Sequence, residues 1–158
     1  MEERMPITRH GYDVMKEYLK KLKTHDRREV AGEIETARSH GDLRENADYD
    51  AAREKHGMLE ANIRDLEDKL ARAQVIEVSK LSGDRVVFGA TVELFDTKAE
   101  KESTITIVGE AEADPKAGRI SVTSPMARAL IGRNVDDTVR VNAPGGRRDY
   151  EITDVSFG

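Results

Sequence analysis

Residues 39–49 read SHGDLRENADY, and they separate two stretches in which apolar residues recur at helical spacing. After this segment the apolar positions follow in steps of three and four residues: Tyr49, Ala52, His56, Leu59, Ile63, Leu66, Leu70 and Ala73. Such steps are the a and d spacing of a coiled coil. Gly41 suits the left-handed residue that ends a helix. Because few residues separate the two patterns, the sequence predicts two antiparallel helices joined by this turn.

The helix before the turn is predicted to begin at Arg9, with Thr8 as its N-cap, and to reach about Ser39. No residue is apolar in its middle, from Lys23 to Glu29. The apolar seam must shift there or the helix must bend, and the sequence leaves both interpretations open. The second helix is predicted over residues 46–74, and at roughly 1.5 Å per residue it is about 40 Å long.

The turn is rich in acids. It and the next residues hold Asp42, Glu45, Asp48 and Asp50, with Arg44 as the only base among them. One interpretation is a capping box, in which Asp42 caps the second helix and Glu45 reaches back to it. The other is part of a metal site, because Mg²⁺ is typically held by one or two carboxylates. Asn46, Asp48 and Asp50 are interpreted as solvated first-turn residues that favour the helix dipole.

Two carboxylates at a turn are chemically incomplete as a nuclease. Cleavage of a phosphodiester by two metal ions requires oxygen ligands around both cations. The remaining ligands would have to come from a partner or a substrate. The residues of the turn therefore favour a factor that completes the site of another enzyme over a free-standing nuclease.

Strands dominate from Arg85 onward. They are predicted at 85–88, 91–95, 103–108, 119–122, 137–143 and 150–155, the last two as a hairpin around Pro144-Gly145-Gly146. Ser124 as a cap, Pro125 at the first helical position and Gly132 at the end predict one short helix. The fold class is therefore α+β: an antiparallel coiled-coil hairpin over residues 1–78 and a small antiparallel sheet domain with one helix over 79–158.

The composition narrows the class of protein. Of the 158 residues 36% are charged and 4% aromatic, which suits an elongated structure better than one thick core. The net charge of −5 argues against nucleic-acid binding by the whole surface. Without cysteine there is neither a disulfide nor a thiolate zinc site. The sequence shows neither an apolar run that could span a membrane nor a signal-peptide pattern, so a cytoplasmic location is expected.

Two stretches resemble a known family. Residues 41–54 read GDLRENADYDAARE and residues 120–132 read ISVTSPMARALIG. On these motifs, and over nearly its whole length, the chain resembles the bacterial transcript cleavage factors of the GreA/GreB family. Its acidic composition is more similar to the GreA branch than to the GreB branch. The resemblance implies that the hairpin carries an acidic tip at residues 41–46 and that the second domain is FKBP-like.

The resemblance also implies a function. The second domain would bind RNA polymerase, and its Ser124, Pro125 and Arg128 would contact the rim of the polymerase. The tip would enter the secondary channel of the polymerase. There Asp42 and Glu45 would be the catalytic carboxylates and would help to hold a Mg²⁺ that is shared only in the complex. Cleavage of the 3′ end of backtracked RNA would be stimulated, and arrested complexes rescued. The chain would not itself be an enzyme, and alone it would hold no tightly bound cofactor. It would act as a monomer and would not bind membranes.

Four basic residues lie at or near the tip: Arg38, Arg44, Arg53 and Lys55. One interpretation is a local patch that contacts the displaced RNA or the polymerase. The alternative is an ordinary charged surface with interhelical ion pairs to Glu35 or Asp50.

Two other functions remain open. A related protein could bind the same channel and inhibit polymerase, although Asp42 and Glu45 favour cleavage. An FKBP-like isomerase or chaperone is the third possibility, but aromatic residues for a substrate pocket are few and a fold alone does not establish a function.

Overall fold

The computed structural model describes residues 4–41, 46–143 and 145–158. Its contacts divide the chain into two units. The hairpin unit is Tyr12–Arg72, and the sheet unit is Met1–Gly11 together with Ala73–Gly158. The sequence-based boundary, with residues 1–78 in the arm, therefore differs from this division at both ends of the hairpin. The reason is a pair of short strands, described below, that belongs to the sheet unit.

The hairpin unit is built from helices α1 (Arg9–Lys21), α2 (Arg27–Arg38) and α3 (Ala47–Arg72). Its core contains Leu22, Val30, Leu59 and Ile63, with Leu19, Ile34 and Leu66 packed against them. The predicted pair of helices is thus observed. The spacing predicted that His56 lies in the apolar seam, but its side chain is exposed. The imidazole keeps its hydration there, while Ala52 and Leu59 are buried on either side of it in the sequence.

The apolar gap in the first helix coincides with a π-helical turn over Leu22–Asp26, between α1 and α2. Such a turn inserts an extra residue into the helix and so shifts the face on which later residues lie. Leu22 before the gap and Val30 after it are each 3% exposed. The π-helical turn therefore supports the first of the two interpretations, a shift of the apolar seam.

Both ends of the hairpin are flanked by short strands of the sheet unit. Strands β1 (Met5–Thr8) and β2 (Ala73–Ile76) pair in parallel, so α3 ends at Arg72 and not at the predicted Gln74. The β-branched Val75 and Ile76 are better suited to this extended pairing than to a last helical turn.

The first turn of α1 is anchored within the sheet unit. The Thr8 hydroxyl accepts from the Gly11 amide at 3.0 Å, which confirms Thr8 as the N-cap. The Glu112 carboxylate accepts from the Thr8 amide at 3.1 Å, from the Thr8 hydroxyl, and from the Gly109 amide at 2.9 Å. A Cβ at position 11 would lie only 2.0 Å from Glu112 Oε1, so this contact requires glycine.

A five-stranded sheet forms the rest of the sheet unit. Its strands are β3 (Thr91–Asp96), β4 (Lys101–Val108), β5 (Arg119–Ser121), β6 (Thr138–Ala143) and β7 (Gly146–Ser156). They lie in the order β5-β4-β3-β7-β6, antiparallel except for the parallel pair β4–β5. Short 3₁₀ turns lie at Val78–Lys80, Glu110–Glu112 and Pro115–Ala117. The predicted β6–β7 hairpin is present, and its Pro144 lies outside the described residues.

Helix α4 (Pro125–Leu130) packs on the sheet core through Ala127 and Leu130. The α+β fold class is therefore confirmed. The prediction of a strand at residues 85–88 is wrong. Arg85 forms only an isolated bridge with Asn134, because this segment pairs with the loop after α4 and not with a strand.

Candidate functional site

The end of the hairpin is closed by backbone hydrogen bonds on the α2 side. Amides of Ser39, His40 and Gly41 donate to carbonyls in the last turn of α2 at 3.1–3.2 Å. Gly41 has φ +100°, the left-handed conformation that its sequence predicted. The next four residues, 42–45, lie outside the described part of the chain, so the predictions for Asp42, Arg44 and Glu45 stay predictions.

Asn46 caps α3 on the other side of the tip. Its Oδ1 accepts from the Tyr49 amide at 3.1 Å, three residues into the helix, which is the geometry of an N-cap. Its Nδ2 donates to the Ala37 carbonyl of α2 at 2.6 Å. The N-cap of α3 is therefore Asn46. The capping box predicted for Asp42 and Glu45 lies outside the described residues.

Ion pairs join the two long helices. Arg27 and Glu60 form two hydrogen bonds, of 3.0 and 2.9 Å, and Lys55 pairs with Glu33 at 2.9 Å. The hydrogen bond from Arg27 lowers the pKa of Glu60, and the hydrogen bond to Glu33 raises the pKa of Lys55. A longer ion pair, Lys23–Glu67, lies at 3.9 Å, and near the tip the His40 Nδ1 lies 3.8 Å from an Asp48 carboxylate oxygen.

The four basic residues predicted near the tip are in different environments. Lys55 forms an interhelical ion pair, as the alternative interpretation expected, but with Glu33 and not with Glu35 or Asp50. Arg53 lies over the Tyr49 ring, with its guanidinium carbon 5.9 Å from the ring centroid. Arg38 is exposed in the last turn of α2. Among the described residues, neither Arg38 nor Arg53 forms an ion pair.

A groove between α2 and α3 runs beside these residues. It is lined largely by small side chains and by polar groups near the tip: Glu29, Gly32, Glu33, Thr36, Ala37, His40, Asp48, Ala51, Ala52 and Lys55.

The residues predicted to bind at the polymerase rim lie at α4. The Ser124 hydroxyl accepts from the Ala127 amide at 3.2 Å, and Pro125 is the first helical residue, as predicted. Arg128 is exposed and contributes to a shallow depression next to α4, which Ser124 and Pro125 do not line. Two further arginines line it: Arg133, which follows α4, and Arg140, which lies on β6. The sequence did not predict them as part of this site, because they come next to Arg128 only in the folded chain.

Two general features of the described residues complete the description. Among them, no group of three or more histidine, cysteine, aspartate or glutamate side chains is arranged to hold a metal ion. None of their helices combines the length and the apolar composition needed to cross a lipid bilayer.

Two family models match the chain. The family described as "Transcription elongation factor, N-terminal" covers residues 5–75, and "Transcription elongation factor, GreA/GreB, C-term" covers residues 81–157. The chain therefore belongs to the GreA/GreB family of transcription elongation factors. This confirms the resemblance found on residues 41–54 and 120–132.

Individual relatives are similar over almost the full length. The chain is 57% identical over 155 residues to transcription elongation factor GreA of Phenylobacterium zucineum, covering 98% of this chain and 99% of the relative. It is 55% identical to the GreA of Bradyrhizobium diazoefficiens with the same coverage. Among solved structures, GreA factor homolog 1 of Thermus thermophilus is 27% identical, with 98% and 99% of the two chains covered and a TM-score of 0.45.

Proposed function

We propose that this transcription elongation factor binds RNA polymerase through its sheet unit and inserts the tip, residues 41–46, into the secondary channel. At the active site it stimulates endonucleolytic cleavage of the 3′ end of backtracked RNA, which rescues arrested complexes. The polymerase remains the catalyst. The factor works as a monomer in the cytoplasm, where transcription takes place.

The N-cap formed by Asn46 carries this proposal. It satisfies the Tyr49 amide at 3.1 Å and ties α3 to the Ala37 carbonyl, so the hairpin end has a cap that does not use either tip acid. The N-cap role that a simple structural explanation would give Asp42 is already filled. The proposal therefore assigns Asp42 and Glu45 to the chemistry of the complex and not to capping α3.

The carboxylates of Asp42 and Glu45 are the type of oxygen ligand that Mg²⁺ prefers. Two of them suffice for a partial site, and the remaining oxygens would come from the polymerase and the RNA. When bound there, Mg²⁺ would stabilise the charge that develops on the phosphate during cleavage. The part of this chain is to bring two negative charges to the end of a helical hairpin.

The exposed bases next to the tip fit a role in holding RNA. Arg38 and Arg53 are exposed and form no ion pair with the described residues, and the proposal assigns both to phosphates of the displaced 3′ segment. Lys55 would have to break its ion pair with Glu33 to bind a phosphate. It is therefore a weaker candidate for an RNA contact than the sequence suggested. We also propose that Arg44 contacts the RNA, because it lies between Asp42 and Glu45 in the sequence of the tip.

The experiment is to add the purified chain to polymerase stalled in a backtracked complex with RNA labelled at its 5′ end. The proposal predicts shorter labelled RNA, a released 3′ fragment, and renewed elongation when nucleotides are added. Slower elongation without shortening would support the inhibitor instead. Labelled RNA without polymerase should stay intact, and Mg²⁺-dependent cutting that disappears on mutation of Asp42 would contradict the proposal.

A further inference from the structure

A second depression of the sheet unit lies where the β3–β4 turn and the turn of the β6–β7 hairpin meet. Strands β3 and β7 are paired up to this end of the sheet, where Asp96 is opposite Tyr150, so the two turns are neighbours. The volume of the depression is about 290 Å³. Its lining residues come from both turns: Asp96, Lys98, Ala99, Gly145, Arg147 and Arg148.

The buried carboxylate of Asp96 joins the two turns. Asp96 is the one buried charged residue among those that the structure describes, at 6% exposure. Its Oδ1 accepts from the amides of Ala99 and Lys98 at 3.0 Å each, and its Oδ2 accepts from Arg148 Nη1 at 3.1 Å. These hydrogen bonds, the one from Ala99 most of all, lower the pKa of Asp96. The ionised carboxylate therefore fixes the backbone of Lys98 and the guanidinium of Arg148.

Further hydrogen bonds hold the β3–β4 turn against β7. The Thr97 amide and hydroxyl both donate to the Asp149 carbonyl, at 3.2 and 3.3 Å. Within the turn, the Glu100 amide donates to the Asp96 carbonyl at 2.8 Å. The backbone that carries Lys98 is thus already ordered. A ligand that binds there has to order the side chain but not the turn, which lowers the entropy lost on binding.

The lining of this depression is positively charged. Three cations and one carboxylate contribute to it, which leaves two positive charges in excess. The charge of Arg148 is matched by Asp96. Lys98 and Arg147 are exposed, and neither forms an ion pair with any carboxylate within residues 4–41, 46–143 and 145–158. Two unpaired cations at one depression, on a chain with net charge −5, favour an anion as ligand.

We propose that this depression binds a short oligophosphate, either free or as the phosphate chain of a nucleotide, with Lys98 and Arg147 as its ligands. Phosphate oxygens carry a high density of negative charge and accept charge-assisted hydrogen bonds from lysine and arginine. A volume of about 290 Å³ lies at the lower end of the range for small-molecule pockets, which suits a compact ligand. The inference does not depend on the proposed function.

The composition of the depression disfavours a nucleic-acid strand as its ligand. Proteins that bind the phosphate backbone of a nucleic acid strongly neutralise about six to ten phosphates. This depression offers two unpaired cations. None of its lining residues in the described part of the chain has an aromatic ring on which a base could stack. A ligand with several charges on few atoms is the better match.

The test is isothermal titration calorimetry of the full chain with tripolyphosphate, without polymerase, at low ionic strength and without divalent cations. We expect saturable binding that weakens as salt is added. K98A/R147A should raise Kd about tenfold or more, because each side chain contributes a charge-assisted hydrogen bond. The matched control R128A/R133A removes the same charge from two exposed arginines elsewhere on the sheet unit and should raise Kd less than about twofold.

A second set of ligands identifies the source of the phosphates. A Kd for ATP similar to that for tripolyphosphate would assign the site to the phosphate chain alone, whereas much tighter binding of ATP would assign it to a nucleotide. Both results support the inference. Adenosine, which has no phosphate, should not bind.

Variants that keep the charge guard against a folding defect. K98R/R147K should retain most of the affinity, and the melting temperatures of all variants should match that of the wild type, because Lys98 and Arg147 are exposed.

Absence of oligophosphate binding by the folded wild-type chain would overturn the inference. So would an equal rise of Kd in K98A/R147A and R128A/R133A, which would show attraction by net charge and not a site. Binding of single-stranded RNA that is lost in K98A/R147A, without binding of tripolyphosphate, would assign the two cations to nucleic acid instead and would also overturn it.

Discussion

The Asn46 side chain bridges the two helices of the hairpin at its tip: its Nδ2 donates to the Ala37 carbonyl of α2 at 2.6 Å, while its Oδ1 caps α3. The last turn of one helix and the first turn of the other are thus joined by one side chain. Ala37 and Ala52 are buried just below it, at 2% and 5% exposure. Asn46 therefore links the described end of α2 to the described start of α3.

N46A should destabilise the hairpin, because it removes both the cap and the bond to α2. We expect a loss of about 1–2 kcal/mol, measured by urea unfolding followed by circular dichroism. N46D keeps the acceptor for the Tyr49 amide but loses the donor to Ala37, so its stability should lie between the two. Equal stability of N46A and the wild type would show that neither hydrogen bond contributes.

The Arg27–Glu60 pair should give a stability that depends on pH. Its hydrogen bond lowers the pKa of Glu60 in the folded chain. The stabilisation is therefore present above the ordinary glutamate pKa of about 4.3 and is lost as the pH falls through the lower folded pKa. E60Q should be less stable than the wild type at neutral pH, and the difference should disappear in strongly acidic solution.

The matched control for E60Q is E54Q on the same helix, because Glu54 forms no ion pair with the described residues. Its effect on urea unfolding at neutral pH should be small. A pH-independent difference between E60Q and the wild type would assign the loss to packing and not to the ion pair.

G11A should be destabilising, since the new Cβ would lie 2.0 Å from Glu112 Oε1 and would displace the carboxylate from Thr8. We expect a loss of about 1–3 kcal/mol in thermal or urea unfolding. G57A, on α3, is the control: nothing lies within 4 Å of its new Cβ, so better helix propensity should stabilise it by up to about 1 kcal/mol. Adding E112A to G11A should recover part of the loss, and no recovery would contradict the proposed clash.

The features that the sequence predicted well are local in origin. Periodic apolar residues predicted α2 and α3, and the Ser124, Pro125 and Gly132 signals predicted α4 almost to the residue. The π-helical turn at Leu22–Asp26 left only a gap in the pattern, because an inserted residue has no composition of its own. The cap at Asn46 could have been predicted, since asparagine is a preferred N-cap and the periodic residues follow directly.

The features that the sequence missed depend on distant residues. Pairing of Met5–Thr8 with Ala73–Ile76 joins segments separated by the whole hairpin, so the β-branched Val75 and Ile76 indicate an extended segment but not its partner strand. Arg128, Arg133 and Arg140 become one surface only when α4 packs beside β6. The same limit applies to Lys55, whose charge is neutralised by Glu33 on the facing helix.

The most direct test of the proposed chemistry is single-turnover RNA cleavage in a backtracked complex at saturating concentrations of D42N, E45Q and the double variant. D50N, at a first-turn acid of α3, serves as the charge-matched control. Each tip variant should lower the cleavage rate by orders of magnitude, with polymerase affinity and melting temperature nearly unchanged, because Asn46 already caps the helix. Raised Mg²⁺ or Mn²⁺ should partly rescue the single variants, since higher occupancy offsets a lost ligand. Wild-type cleavage by the double variant, with binding verified, would contradict a catalytic role for Asp42 and Glu45.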